Sequence, residues 1–394
     1  MPPIHALAAA TDPDPYPYYA GLVAGPPLLW DAQLQLWIAA RAAVVEEVFR
    51  HPHCRVRPPA DAVPKALVGS SAGALFGQLV RMNDGEQHQR PKLALQQALA
   101  AVAADDVQRC AQQAVQALGL GAADVSALQA ASHSLPSYAV AGLLGFDAAA
   151  WPDLAVWIAD FVACLSPLST VAQLDQASLA AQALLLRFKD LVQQAPRSDG
   201  SLLTRVQQEA AAVGWDQADA VLANLVGLMA QTYDATAGLI GNSIVALRQQ
   251  PGLADLVREQ PAQVAALVQE VSRFDPPVQN TRRWVAEAAT IAGTAVQPGQ
   301  AILLVLAAAS RDPAVNAQPD AFDMQRVAPR VFGFGHGAHT CPGQALACDI
   351  ASAAVQALLA QQPGLETSPL AWRYRPSLNG RIPLFFHPTS QENP

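Results

Sequence analysis

The sequence predicts a mainly α chain, on three observations. Successive Leu-, Val- and Ala-rich segments repeat their apolar residues at helical spacing between prolines. One such pattern, Asp216 to Gln250, runs without a proline and at 1.5 Å per residue is long enough, roughly 50 Å, to cross a whole domain. β-like runs are few and short.

Composition narrows the class further. Hydrophobic residues make up 52% of the 394 and charged residues 14%, which gives an ample core far from the disordered regime. No Gly/Ser linker or charge block divides the chain, so residues 1–394 are expected to form a single domain. A net charge of −8 with no concentrated basic patch argues against a nucleic-acid partner. Cys54, Cys110, Cys164, Cys341 and Cys348 are odd in number and scattered, which suits a reducing cytoplasm rather than a disulfide framework. Met1 to Tyr19 has neither a basic segment nor an apolar run, and no later stretch approaches the ~18 apolar residues of a membrane span; no membrane anchor and a soluble, cytoplasmic protein are expected.

Taken in order, Ile38 to Arg50 reads as a first helix ending at His51-Pro52, and Arg55 to Gly73 as a long Pro- and Gly-containing loop. Arg81 to Lys92 leads into a helix reaching about Val102. Segments 104–118, 135–146, 151–165 and 172–195 carry helical periodicity, with breaks at Pro136, Pro152, Pro167 and Pro196. After the long helix comes a short one beyond Pro251, then Gln263 to Phe274. Trp284–Ile291 and Ala301–Leu306 are β-like around a turn at Pro298-Gly299, and Tyr374 to Phe386 is β-like around Asn379-Gly380.

The chemistry concentrates in Phe334-Gly335-His336-Gly337-Ala338-His339-Thr340-Cys341-Pro342-Gly343, followed by an Ala- and Leu-rich helix from Gln344 to Gln361. A sulfur on a tight loop at a helix start faces unpaired backbone N–H groups and the positive end of the helix dipole. Both are expected to lower the Cys341 pKa and suit it to a cation. One thiolate with no second Cys or His pair at zinc spacing points to a metal whose other ligands are not protein, haem iron first. Taken alone, the loop also fits a buried structural cysteine. On the long helix Gly227, Gln231, Ala235, Gly238 and Asn242 share one face, whose small residues suit either a planar group or a neighbouring helix.

Phe334, Gly337, Cys341 and Gly343 reproduce the F-x-x-G-x-x-x-C-x-G loop of the cytochrome P450 family, and the chain resembles that family in four further motifs. Asp84, His88 and Lys92 are similar to its D-x-x-x-H-x-x-x-R stretch, with lysine as a point charge in place of the bidentate arginine. Leu239-Ile240-Gly241-Asn242 sets the register of its oxygen-activating helix. Asp234 then takes the acid position, Ala235 the usual threonine position, Thr236 falls one residue late, and Gln231 and Thr232 replace the usual small pair. Glu270 and Arg273 match the E-x-x-R clamp, followed by a matching segment that ends in Arg283. The segment from Ala309 to Arg326 resembles the meander, with Ala321 in place of an arginine, which implies a thinner ion network.

The resemblance implies the cytochrome P450 fold, a triangular prism of helices with small β-sheets, binding haem b (iron protoporphyrin IX) through Cys341. It implies that His88, Lys92, Arg283 and His339 surround the propionates, that 151–165 and 172–195 form a lid, and that the Asn379-Gly380 turn enters the substrate cavity. Pro342 offers the sulfur no N–H, which makes it a stronger donor to iron. The implied activity is insertion of one oxygen atom into a small organic substrate, of the specialised-metabolism kind, with electrons from a ferredoxin-type donor and its reductase. Because alanine at 235 holds no water for proton delivery, the alternatives are hydrogen bonding from Thr232 or the substrate, peroxide use, or dehydration or rearrangement. A haem sensor without turnover is the reading from another class.

Overall fold

The computed structural model describes residues 5–61, 63–119, 125–194, 200–362 and 364–388. After α1 (Tyr16–Ala24) come β1 (Leu29–Asp31), β2 (Leu36–Ala39), α2 (Ala42–Arg50) and β3 (Cys54–Arg55). The helix expected from Ile38 therefore starts four residues late. Ile38 and Ala39 are strand residues paired in parallel with Leu303 and Leu304. Arg41 is extended, and Asp312 Oδ2 accepts the Ala42 N–H at 2.8 Å, so the cap comes from a residue far along the chain.

α3 (Ser71–Gln78) begins inside the expected loop, where the Ser70 hydroxyl accepts the Gly73 N–H at 3.0 Å. Next are α4 (Glu86–Ala100) and α5 (Ala104–Leu118). α6 (Val125–Leu144) begins before the expected 135 and runs through Pro136. Leu135, Ser137 and Ala139 are fully buried there, and packing against neighbouring helices outweighs the local cost of the proline. α7 (Trp151–Ala163), α8 (Val171–Gln194) and the unanticipated α9 (Leu202–Ala212), capped by Ser201, complete this half. The break expected at Pro196 lies outside the described residues.

α10 (Ala218–Gln249) fills the place of the long helix, and α11 (Leu253–Glu259) and α12 (Val264–Phe274) follow. The run expected as one strand at 284–291 is two: β4 (Thr281–Val285) belongs to the main sheet, and β5 (Ala289–Ile291) forms a hairpin with β6 (Thr294–Val296). β7 (Ala301–Leu304) stops two residues short, because Leu306–Ser310 turn into the short α13. α14 (Gln344–Gln361) has the expected limits, and β8 (Ala371–Tyr374) pairs with β9 (Pro383–Phe386). The main sheet has the order β1-β2-β7-β4-β3.

α10 packs against α6, α7, α8, α12 and α14 and is the axis of the helical core. Its side chains are buried continuously from Thr236 to Leu247 and nearly so from Ala220 to Ala230; between them Gln231–Ala235 are all half-buried or exposed. The core thus opens at the stretch where the sequence places the acid and the missing threonine. Among the described residues no helix is long and apolar enough to cross a membrane.

Candidate functional site: a cysteine loop ringed by basic side chains

The cysteine loop is shaped by its glycines. Gly335 and Gly337 sit at φ +74° and +68°, where a side chain is strained, and a Cβ on Gly335 would press the His339 carbonyl at 3.2 Å. These turns let the Cys341 N–H donate to the Phe334 carbonyl at 2.7 Å, closing the loop, and Gly343 then caps α14. Cys341 is half-buried. Burial pushes its thiol up, outweighing the Gly343 N–H and the Lys92 charge, which both act downward. This corrects the expectation of a lowered pKa: the dipole and N–H groups are present, but the cost of desolvating a thiolate is larger.

A set of basic side chains gathers around this loop from α4, from β4 and from the loop itself. From α4, the Lys92 ammonium donates to the Thr340 carbonyl, next to the cysteine. His88, one turn earlier and 4% exposed, lies against His339 with ring centroids 4.0 Å apart and planes tilted by 35°. Burial first, then the charges of His339 and Lys92, push the His88 pKa down to about 4. His339 Nε2 is 3.0 Å from Asp84 Oδ1. Although burial acts to raise it, this bond and the Val56 N–H hold the Asp84 carboxyl below its ordinary value. From β4, Arg283 is 6% exposed, its guanidinium 4.8 Å from the centroid of the Phe49 ring, and its Nη1 donates to the Arg282 carbonyl at 2.8 Å. Arg283 forms no ion pair among the described residues, and burial lowers its pKa to about 10. Asp84 acts on it only from a distance, and a buried guanidinium with no carboxylate in contact is costly unless an anion joins it.

On α10 the side chains are less committed to one another. The Gln231 amide donates to the Gly227 carbonyl of its own helix at 3.0 Å, and the Thr232 hydroxyl to Leu228 at 2.7 Å. Asp234 Oδ2 pairs with Arg375 at 2.6 Å, while Oδ1 is buried with no hydrogen-bond partner among the described residues. Ala235 is half-buried; Thr236 is fully buried, and its hydroxyl also lacks a partner. Gly238 approaches Pro277 so closely that a Cβ would come within 2.6 Å, and Asn242 donates to the Asp275 and Arg381 carbonyls. The shared face of small residues therefore serves two purposes, open at 231–235 and a packing seam from 238 onward. The Asn379-Gly380 turn packs back on the segment after α12, with the Gln279 N–H donating to the Asn379 carbonyl at 2.8 Å.

The E-x-x-R pair supports the loop from behind. Arg273, fully buried, donates to both Glu270 oxygens at 2.6 and 2.9 Å and to the Pro319 and Ala321 carbonyls at 2.8 and 3.0 Å. Arg326 Nε stands 3.7 Å from Glu270 Oε2, so the network expected to be thinner at Ala321 keeps a third member, and the Ala321 backbone acts where a side chain was expected. Two residues at the site carried no assigned role in the sequence. Asp84 was visible as the first letter of its motif; Arg375 lies 141 residues from Asp234 and left no local signal.

Fold and site together describe a helical chain with one loop-borne cysteine at the start of α14, which packs against the long helix α10, and solved structures share that fold. The chain aligns with P450BioI in complex with an acyl carrier protein ligated to hexadec-9Z-enoic acid at a TM-score of 0.79 and 23% identity, covering 94% of this chain and 97% of that one. With a ligand-free cytochrome of Mycobacterium smegmatis the TM-score is 0.72 at 25% identity, covering 97% and 98%. The family model described as Cytochrome P450 matches residues 253–361. The biotin biosynthesis cytochrome P450 of Bacillus subtilis (strain 168) is 30% identical over 247 residues, 61% of each chain. The 6-deoxyerythronolide B hydroxylase of Saccharopolyspora erythraea is 28% identical over 257 residues, 63% of this chain and 62% of that one. These alignments span less than two thirds of either relative. Residues 253–361 thus match the cytochrome P450 family, and the chain as described shares the fold of the solved cytochromes, helices with small sheets.

Members of that family bind haem b. The residues present fit it. Arg283, buried and without an ion pair among the described residues, and Lys92 supply positive charge suited to propionates, with the His88 and His339 imidazoles beside them as hydrogen-bonding groups. The Cys341 sulfur, opposed by Gly343 N–H rather than by a protein cation in contact, is a free ligand donor.

Proposed function

We propose that this chain, as a single domain over 1–394, is a haem-thiolate monooxygenase that inserts one oxygen atom into a small organic substrate in specialised metabolism. Electrons come from a ferredoxin-type partner and its reductase. The observation that carries the reading is the cysteine loop flanked by a buried, unpaired Arg283. Haem b, when bound, supplies the activation of dioxygen. Cys341 Sγ would ligate the iron; Arg283, His88, Lys92 and His339 would hold the propionates; Phe334, Gly335, Gly337 and Gly343 shape the loop. The Gly343 N–H tempers the sulfur charge, and Pro342 adds no second donor.

On α10, Asp234 Oδ1, without a hydrogen-bond partner among the described residues, is the atom that takes up and passes on a proton, while Oδ2 stays with Arg375. Thr232 donates its hydroxyl proton to Leu228 and keeps its lone pairs for a donor. Gln231, on the open stretch, narrows the space one turn before Ala235.

A second reading rests on the same helix. Ala235 has no hydroxyl and that of Thr236 is fully buried, which favours an enzyme that uses peroxide, or one that dehydrates or rearranges its substrate. The deciding experiment screens a substrate library for a blue shift of the Soret band, then follows NADPH use and product mass with a ferredoxin and its reductase. A product heavier by one oxygen supports the monooxygenase. Turnover only with peroxide, or a product without added oxygen, supports the second reading. Binding without any turnover makes the protein a sensor and overturns both.

A further inference from the structure

Between α3 and α4 the chain crosses from one wall of the site to the other. At its start, Leu79 lies against Gly227 of α10, where a Cβ would come within 2.8 Å of it, and the Val80 N–H donates to Asn224 Oδ1 of α10 at 2.9 Å. At its end, Asp84 holds His339 of the cysteine loop at 3.0 Å. Asn83, 4% exposed, fixes the path between them by donating to the Gly77 and Leu79 carbonyls at 3.0 and 2.8 Å. Arg81 sits midway on this bridge, in the single 3-10 turn Val80–Met82.

Its neighbours Leu79, Val80 and Asn83 are buried, whereas Arg81 is exposed. Protein nonetheless surrounds the guanidinium closely enough for burial to lower its pKa, with Cys164 at the end of α7 among the groups that it feels. A side chain both accessible and surrounded lines a concave wall. Among the described residues it has no ion pair or hydrogen bond. The two carboxylates of the site are already engaged, Asp84 by His339 and Asp234 by Arg375.

Resting on the haem-thiolate reading above, we propose that Arg81 is the specificity-determining residue for an anionic substrate, and that the substrate carries a carboxylate or a phosphate which the guanidinium anchors. Such a fork makes two parallel charge-assisted bonds to either group, and a partly desolvated site makes them strong. A neutral substrate leaves the cation crowded and unpaired. The fixed path from Asn224 to Asp84 holds the anchor at a set depth, so the carbon presented for reaction lies at a set distance from the acid group.

The test uses the haem-loaded protein and matched probes: dodecanoate, dodecyl phosphate and dodecanol, and 4-butylbenzoate with 4-butylbenzamide, each titrated by the Soret shift. At least one acid is expected to bind roughly tenfold or more tightly than its neutral partner. That preference should collapse in Arg81→Gln and persist in part in Arg81→Lys, with haem content unchanged in both. Comparing dodecanoate with dodecyl phosphate separates a carboxylate from a phosphate substrate. Wild-type protein that binds no acid more tightly than its neutral partner overturns the assignment, as does an undiminished preference in Arg81→Gln. Loss of haem from folded Arg81→Gln overturns it too, making Arg81 a propionate ligand. Failure of the underlying reading is seen separately, as absence of the thiolate-type carbon monoxide band in wild-type protein.

Discussion

On the cysteine side of the site, side chains tie distant elements together: His339 bonds Asp84, Lys92 the Thr340 carbonyl, and Arg273, already paired with Glu270 on its own helix, the Pro319 and Ala321 carbonyls of the meander. On the α10 side, Gln231 and Thr232 bond only to their own helix, and Asp234 keeps one oxygen free. The first region holds a shape and the second leaves groups available. The contrast teaches where substitutions alter folding and where they alter chemistry.

The sharpest way to break the contrast is at its most buried pair. Glu270→Ala leaves Arg273 buried and unpaired and is expected to cost about 3–5 kcal/mol, measured by denaturant unfolding, or to prevent folding. A stable variant that retains haem would remove the rigid frame from the account.

Arg283 gives an effect of opposite sign in two states. Arg283→Gln removes a buried, unpaired charge, so the haem-free chain should gain about 1–3 kcal/mol while haem is held at least about tenfold less tightly. A variant destabilised in both states would mean that Arg283 serves the fold instead.

His88 sharpens the same point through pH. Its folded pKa of about 4 lies below the unfolded value of 6.5, so between these pH values the unfolded chain binds the extra proton. The stability of haem-free protein should therefore fall as pH drops from 6.5 to 4, and the slope should flatten in His88→Asn. Asp84, whose folded pKa is also depressed, adds its loss only below about 4. An unchanged slope in His88→Asn would place that titration elsewhere.

Effects on the α10 side are expected to be smaller in stability and visible in chemistry. Gln231→Ala should leave unfolding within about 0.5 kcal/mol, since an exposed amide bonded to its own helix holds nothing else. It should change substrate affinity or the share of electrons lost as peroxide, whereas Ala235→Thr should change coupling little. A large gain of coupling in Ala235→Thr would show that the enzyme runs the usual relay poorly.

The motif residues were legible because each motif is local: a loop of glycines around Cys341, a pair one turn apart at Glu270 and Arg273, and a long proline-free helix. What escaped was set from a distance. The strand at Leu36–Ala39 depends on pairing with β7, the start of α2 on Asp312, and the passage of α6 through Pro136 on packing with its neighbours. Arg375 reaches Asp234 from a hairpin with no motif of its own, and Arg326 supplies the third charge by a backbone path that the sequence around Ala321 does not display. The cysteine pKa turned on burial, which spacing alone does not reveal.

The central claim is that Cys341 would ligate the iron of a haem held by the basic side chains around its loop. It is tested most directly by the absorption of reduced, carbon monoxide-treated protein, comparing wild type with Cys341→Ser and with Cys348→Ser, the other half-buried cysteine. The account predicts the thiolate-type band of the family in wild type and Cys348→Ser, and its loss in Cys341→Ser. A band that survives in Cys341→Ser and disappears in Cys348→Ser would contradict it.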